Sequence, residues 1–481
     1  MMNGSNLTLH SDKYQINMMY AHWIHGTADE RVVFEVYFRK LPFGNGYAVF
    51  AGLERIVNYI ESLRFGEEEI AFLREQEENY KPEFLEELKA FRFTGNLYAA
   101  EEGTPVFASE PLLVVEARIF EAQLIETAIL NFINYQTLIA TKASRIKQVA
   151  PDDILLEFGT RRAQEADAAI WGARAAYIAG FHATSNMRAG MLFGIPSKGT
   201  HAHSWVQGHD TEEEAFRKYA EALPDGVTLL VDTYNTLKSG VPNAIKIGKL
   251  LEAQGKRMDG IRLDSGDLAY LSQEARKMLD DAGLKYVKIV ASNDLDENIM
   301  FNLKAQGARI DIWGVGTQLI TSADQPSLGG VYKLVAREKD GDYVPVIKIS
   351  GNPEKVTTPG FKDVYRLINK QTGMSEADYI TLRGEEHVLR GERIKLFDPT
   401  HTYLYKFIEN YEAIPLLKTI YKNGELVYTL PAIERIRAYH AEQLELFWSQ
   451  HKRKLNPETY KVCISDAAWV QKMDMLKQYQ G

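Results

Sequence analysis

The chain has 481 residues, 45% hydrophobic and 25% charged, with a formal net charge of -9. This length predicts two or three domains, or one large barrel with additions, and the composition excludes a disordered polymer. The acidic balance gives no support to nucleic-acid binding, which favours a basic face. The one cysteine, Cys463, excludes an internal disulfide framework. The N-terminal MMNGSNLTLHSDKYQ lacks the basic-then-apolar order of a secretory signal, and no apolar run is long enough to cross a bilayer. The expectation is a cytoplasmic protein with neither a nucleic-acid nor a membrane partner.

In chain order, residues 1–140 read as an N-terminal α+β domain. Phe34, Val36 and Phe38 alternate along a strand from Val32 to Phe38. Leu53, Ile56, Val57, Ile60 and Leu63 follow helical spacing. A Glu-rich stretch breaks at Pro82, an extended stretch covers Leu112 to Ala117, and a long amphipathic helix is predicted from Arg118 to Gln148. Residues 141–336 then carry eight short apolar runs: ILLEFG, AAYIAGF, LFGIPSKG, VTLLVDTYN, GIRLDSGD, VKIVASND, DIWGVGTQL and VYKLVA. A buried parallel strand is apolar along its length, and an active site at strand C-termini gives such runs polar tips. Eight units predict an α/β fold with an irregular (β/α)8-like barrel, the open doubly wound sheet being the alternative. Residues 337–481, rich in turn signals such as KDGDY and SGNPEK, read as a C-terminal module packing on the N-terminal domain and barrel. A helix is predicted there from Ile433 to Phe447.

The polar tips between Glu157 and Thr317 carry the candidate chemistry. GIRLDSGDL puts Arg262 and Asp264 on one side of an extended segment, a cation and a carboxylate suited to an anionic substrate beside sugar hydroxyls or Mg2+. A structural ion pair followed by a helix cap at Ser265 or Asp267 is the plainer alternative. In DIWGVGTQL, Gly314 and Gly316 would let backbone N–H groups approach a phosphate, and Thr317 adds a hydroxyl. The pattern is neither a dinucleotide fingerprint nor a P-loop. In SKGTHAHSW, His201 and His203 belong to no HExxH or Cys/His cluster, so zinc is not expected, leaving one of them as acid, base or nucleophile beside Thr200. Arg161 and Arg162 follow Phe158, Asp232 ends VDTYN, and ASNDLDE offers Ser292, Asn293 and Asp294, a segment that also reads as a helix cap. Arg39, Lys40 and Tyr14 stand in the first region. Together these groups suit a phosphorylated sugar and a small planar anion.

In order, SDKYQINM, EFGTRRAQ, GFHATSN, GTHAHSW, VDTYN, IRLDSGDL and GVGTQL resemble the nicotinate phosphoribosyltransferase family, from Ser11 to Leu319. The resemblance implies a type II phosphoribosyltransferase barrel. It also implies transfer of phosphoribose from phosphoribosyl pyrophosphate to nicotinate, stimulated by ATP through a phosphohistidine at His203, with Mg2+ carried on pyrophosphate and no metal bound directly. It gives His203, Asp264 and Arg262 catalytic roles and stacks the pyridine between Tyr14 and Phe158. Arg262 and Thr200 would hold nicotinate, and Asp264 and Asp232 would face ribose and Mg2+–pyrophosphate. Arg161 and Arg39 would offset phosphate charge, and Gly316 and Thr317 would hold the 5-phosphate. A homodimer in which Tyr14 and Arg39 act across subunits is implied as well. Nicotinamide or quinolinate enzymes of the same fold are the near alternatives, and a non-catalytic metabolite-binding barrel the remote one. Ser185 and Asn186, neutral where the nicotinamide enzyme carries an aspartate, favour nicotinate.

Overall fold

A computed structural model of the chain describes residues 6–399 and 401–479. The outermost residues of the two expected end domains, 1–5 and 480–481, lie outside the described residues. The chain forms two compact units, one of residues 1–141 with 327–481 and one of 142–326. The architecture is mixed α/β, with a curled parallel sheet and N-terminal and C-terminal domains, as the sequence predicts. Among the described residues no helix is long and apolar enough to cross a membrane.

The first unit is built on a seven-stranded sheet. Its order is Asp342–Pro345, Gly330–Lys339, Arg31–Phe38, Leu113–Arg118, Asn96–Ala99, Lys418–Lys422 and Glu425–Leu426. Every neighbouring pair is antiparallel. Residues from both ends of the chain therefore share one sheet. Phe34, Val36, Phe38, Leu113 and Val115 are buried in its core, each worth about 1.5–3 kcal/mol of transfer free energy. The predicted helix at Leu53 runs Leu53–Ser62, and the one at Ile433 runs Ile433–Glu445. The long helix predicted from Arg118 is two helices, Ile119–Leu124 and Glu126–Val149. A four-stranded sheet, Tyr411–Pro415, Lys362–Asn369, Ser375–Leu382 and Val462–Ile464, completes the C-terminal part.

The second unit holds a six-stranded, wholly parallel sheet. Its order is Ala183–Thr184, Ile154–Glu157, Ile312–Val315, Lys288–Ala291, Met258–Leu263 and Val227–Leu230. Leu155, Leu229, Ile261, Leu263, Ile289, Trp313 and Val315 are buried, which is why these runs look apolar. The extended segment 196–201 links the two edge strands. Thr184 exchanges backbone bonds with Pro196 and Lys198 at 3.0 and 2.9 Å, and the Leu230 N–H donates to His201 Nε2 at 3.1 Å.

Three of the eight expected barrel runs are therefore something else. AAYIAGF lies mostly in the helix Glu165–Ile178, whose alanines favour helix as strongly as burial favours strand. LFGIPSKG is the end of the helix Met187–Phe193, stopped by Gly194 at φ 73°, followed by the linking segment, which bridges to Thr184 at Ser197 rather than forming a strand. VYKLVA belongs to the antiparallel sheet, paired with Arg31–Phe38. A short apolar run does not reveal which sheet buries it.

His440 offers a test of the first unit. Its ring is buried in the helix Ile433–Glu445, and Nδ1 donates to the Gly103 carbonyl at 2.8 Å. Burial pushes its pKa down to about 4. The folded state binds the proton more weakly than the unfolded state. This contribution is therefore full above the ordinary histidine value of about 6.5 and is lost as pH falls toward 4, about 3 kcal/mol in all. His440→Asn, which keeps an N–H donor, should lose less Tm than the wild type between pH 7 and pH 5. Equal losses would contradict this account.

Candidate functional site

The tips of the parallel strands converge on Arg262. Along Met258–Leu263, Ile261 and Leu263 are buried in the core while Arg262 projects from the other face. Its guanidinium spends three N–H groups on three chain segments. Nε donates to Ser292 Oγ at 2.7 Å, Nη1 to Thr200 Oγ1 at 3.0 Å and Nη2 to Asp264 Oδ1 at 2.8 Å. Ser292 Oγ also makes a short hydrogen bond to Asp264 Oδ1. The Phe158 ring lies 5.6 Å from the guanidinium carbon, within cation–π range. The cluster thus has an aromatic face beside a cation that retains N–H groups for a ligand.

The carboxylates lie beside it. Asp232 Oδ2 accepts from the Asp264 N–H at 2.8 Å and from Ser265 Oγ at 2.7 Å, while its Oδ1 is buried with no hydrogen-bond partner. Asp264 Oδ2 lies 3.9 Å from His203 Nε2, beyond hydrogen-bond range. The cap of the helix Leu268–Asp281 is Asp267, so Ser265 is left to the site. Among the described residues no group of three or more His, Cys, Asp or Glu is placed to hold a metal ion. The spare Asp232 oxygen fits a cation that arrives with most of its ligands.

The two histidines part because a helix begins at His203 and ends the extended alternation that would set residues two apart on one side. His201 is buried, and the Leu230 N–H can only donate to its Nε2, so the proton sits on Nδ1, which faces the Ala202 carbonyl at 3.2 Å. Burial pushes its pKa down. His203 opens the helix His203–Gln207, half-exposed, with Nδ1 3.1 Å from Thr233 Oγ1. His201 is spent on joining strands, and His203 remains available for chemistry.

Phe158 is held by close backbone approach. Its N–H donates to the Val315 carbonyl at 2.8 Å, and its ring fills the space where a side chain at Gly314 would stand. A Cβ there would lie 2.6 Å from the ring. Gly316, at φ -118° and ψ -100°, precedes the single helical turn Thr317–Ile320, so the GxGT turn is formed. Arg161 is exposed in the short turn Thr160–Arg162. Beneath it the buried Glu157 carboxyl accepts from Thr184 Oγ1 at 2.5 Å and, through a short bond, from the Gly159 N–H. Burial pushes its pKa up.

Tyr14 and Arg39 belong to the first unit. Tyr14 is half-exposed on the helix Lys13–Ile24. Arg39 follows the strand Arg31–Phe38 and donates from Nε to the Glu354 carbonyl at 3.1 Å. Lys333 stands near Arg39 and Lys348. Burial pushes its pKa down, Glu126 opposes that shift, and the two cations add to it. Sequence reasoning passed over Lys333, although a lysine interrupting VYKLVA was a visible signal. It gave no role to Glu157 or Thr233, and it offered Ser292 as a candidate in a segment that also reads as a helix cap. The cap of the helix Glu297–Ala305 is Asp296.

Comparison with known proteins follows the whole chain. Residues 9–134 match the nicotinate phosphoribosyltransferase (NAPRTase) N-terminal domain, 154–376 the nicotinate phosphoribosyltransferase (NAPRTase) family, and 361–472 the nicotinate phosphoribosyltransferase C-terminal domain. The Bacillus subtilis (strain 168) nicotinate phosphoribosyltransferase is 54% identical over 478 residues, spanning 99% of this chain and 96% of that protein. The Homo sapiens protein of the same name is 32% identical, spanning 95% and 94%. The crystal structure of human nicotinic acid phosphoribosyltransferase superposes with a TM-score of 0.86 at 30% identity, covering 97% of this chain and 99% of that one. A nicotinate-nucleotide pyrophosphorylase from Pyrococcus furiosus, at TM-score 0.67 and 22% identity, shares the fold.

The fit of Phe158 against Gly314 is directly testable. Gly314→Ala overpacks the ring and should destabilise by about 1–3 kcal/mol, read from the unfolding midpoint. Adding Phe158→Ala removes the clashing partner, so the double variant should be more stable than the sum of the single effects predicts. Strict additivity would contradict the contact.

Proposed function

Because the chain belongs to the nicotinate phosphoribosyltransferase family, we propose that it joins nicotinate to the phosphoribosyl group of phosphoribosyl pyrophosphate. The products are nicotinate mononucleotide and pyrophosphate, and ATP stimulates the reaction. The observation that carries this reading is the Arg262 guanidinium, fixed by three hydrogen bonds beside the Phe158 ring. A planar heteroaromatic carboxylate matches that pair: its ring stacks on Phe158 while its charge meets the remaining N–H groups of Arg262, with the Thr200 hydroxyl alongside. In the homodimer proposed below, Tyr14 of the partner subunit closes the other face of the ring.

In the reaction the pyridine nitrogen lone pair forms the bond to ribose C1. The C1–oxygen bond breaks with its electron pair leaving on pyrophosphate, so no proton moves. Positive charge develops on the ribose ring, and Asp264 and Asp232 offset it while ordering the hydroxyls. Negative charge develops on pyrophosphate. Mg2+ brought by the pyrophosphate supplies further charge neutralisation, and Asp232 would hold it through its spare oxygen. Arg161 faces the phosphates, and in the homodimer proposed below Arg39, with Lys333 and Lys348 beside it, adds positive charge from the other subunit. The amides at Gly316 and the Thr317 hydroxyl take the 5-phosphate.

ATP acts through His203, whose ring nitrogen takes the γ-phosphoryl group as ADP leaves and later loses it to water as phosphate. A phosphoryl group there adds roughly two negative charges close to the Asp264 carboxylate, whose Oδ2 already lies 3.9 Å from Nε2. Repulsion then shifts the segment 196–203 and the affinity for substrate; the phosphohistidine does not attack the sugar. We assign the protein to the cytoplasm, where the buried Cys463, its thiol pushed up to about 11, stays reduced. We also propose a homodimer in which Tyr14 and Arg39 serve the partner's barrel.

The test is nicotinate mononucleotide formation with ATP present and absent. The wild type should form product in both conditions and faster with ATP. His203→Ala should keep slow transfer and lose the stimulation. Equal ATP stimulation in the variant would remove His203 from that role, and no product from the wild type would overturn the transferase reading.

A further inference from the structure

We propose that Ser292 is a positioning residue that keeps Arg262 and Asp264 from closing on each other, so that both stay turned toward substrate. The inference rests on the transferase reading above. Ser292 follows the strand Lys288–Ala291 and is buried, and its N–H donates to the Leu263 carbonyl at 2.9 Å. The chain turns immediately after it, at Asn293 with φ 124°, in the region that L side chains rarely adopt. The hydroxyl is thus fixed at the tip of the neighbouring strand.

The proton accounting is forced. Arg262 Nε can only donate, so Ser292 Oγ accepts that bond at 2.7 Å. The one hydroxyl proton then goes to Asp264 Oδ1. Asp264 Oδ1 thereby takes two donors, Ser292 and Arg262 Nη2, and Oδ2 is left facing His203 and the sugar site. Without the hydroxyl, the Nε–Nη2 edge of the guanidinium matches both oxygens of the carboxylate, the fork geometry in which such pairs are strongest. A pair closed in this way consumes Oδ2 and rotates the free N–H groups of Arg262 away from the Phe158 ring. Ser292 separates the two charges and gives each one fixed orientation.

The positions of Arg262 and Asp264 separate two effects. Misdirecting Arg262 raises KM for nicotinate, and withdrawing Asp264 Oδ2 lowers kcat. Ser292→Ala in the full-length enzyme should therefore lower kcat/KM about ten- to a hundredfold, the scale of one hydrogen bond to a charged group, with both parameters contributing and Tm nearly unchanged. Ser292→Thr, which keeps the hydroxyl, should recover most of the loss. In an Asp264→Asn background no closed ion pair can form, so adding Ser292→Ala should cost no more than about twofold. The inference is overturned if Ser292→Ala keeps kcat/KM within about threefold of wild type, if it costs as much in the Asp264→Asn background, or if it fails to fold, which would make the hydroxyl a structural group. A wild type inactive on nicotinate overturns the transferase reading and this inference with it. An active wild type with an unaffected Ser292→Ala overturns this inference alone.

Discussion

The fan of hydrogen bonds around Arg262 is the constraint on which the site depends. One guanidinium reaches its own strand through Asp264, the next strand through Ser292 and the linking segment through Thr200. Asp264 and Ser292 sit at C-terminal strand ends, where a parallel sheet gathers side chains from distant parts of the sequence, and Thr200 comes from the segment that joins its edges. The planar cation fixes the distances among the three segments, and its remaining N–H groups give the cluster a direction. Phe158, held against Gly314, supplies the flat face beside that cation. Asp232 then ties the Asp264 backbone, so that two carboxylates are ordered by hydrogen bonds from amides and hydroxyls.

The linking segment 196–201 explains how one stretch of chain carries both structure and chemistry. His201, at the end of the segment, and His203, just past it, are two residues apart, yet their surroundings diverge. His201 is neutral, buried and bound to the Leu230 amide, in effect a side chain standing where a backbone carbonyl would complete a ladder. His203 begins the next helix beside Thr233 and Asp264. In the reaction proposed above, a change of charge at His203 would act at the end of a segment attached to both edges of the sheet, giving a local electrostatic event a mechanical lever.

Much of this was legible in the sequence because burial and alternation leave marks. The runs ending in Glu157, Asp232, Asp264, Ser292 and Gly316 are parallel strands with polar tips, as their composition predicts. Arg262 and Asp264 do share a side, and Asp267 does cap the following helix. What failed was assignment of partners. VYKLVA is apolar because an antiparallel sheet buries it, AAYIAGF because a helix does, and neither period nor composition separates those cases over six or seven residues. Ser292 read equally as a site group or as a cap, because a serine before acidic residues often caps a helix. Its function depends on which strand lies next to it, and that information is not local. Lys333 was hidden in the same way, its neighbour Arg39 being distant in sequence and Lys348 lying beyond the next strand, Asp342–Pro345.

The central claim is that a fixed Arg262 selects a carboxylate-bearing pyridine. The most direct measurement is the ratio of kcat/KM for nicotinate to that for nicotinamide, in the wild type and in Arg262→Gln. The account predicts a wild-type ratio of at least about a hundred, on the scale of a charged hydrogen bond lost by the amide. In the variant that ratio should fall to within about tenfold of unity through loss of nicotinate activity. A ratio that Arg262→Gln leaves unchanged would contradict the account.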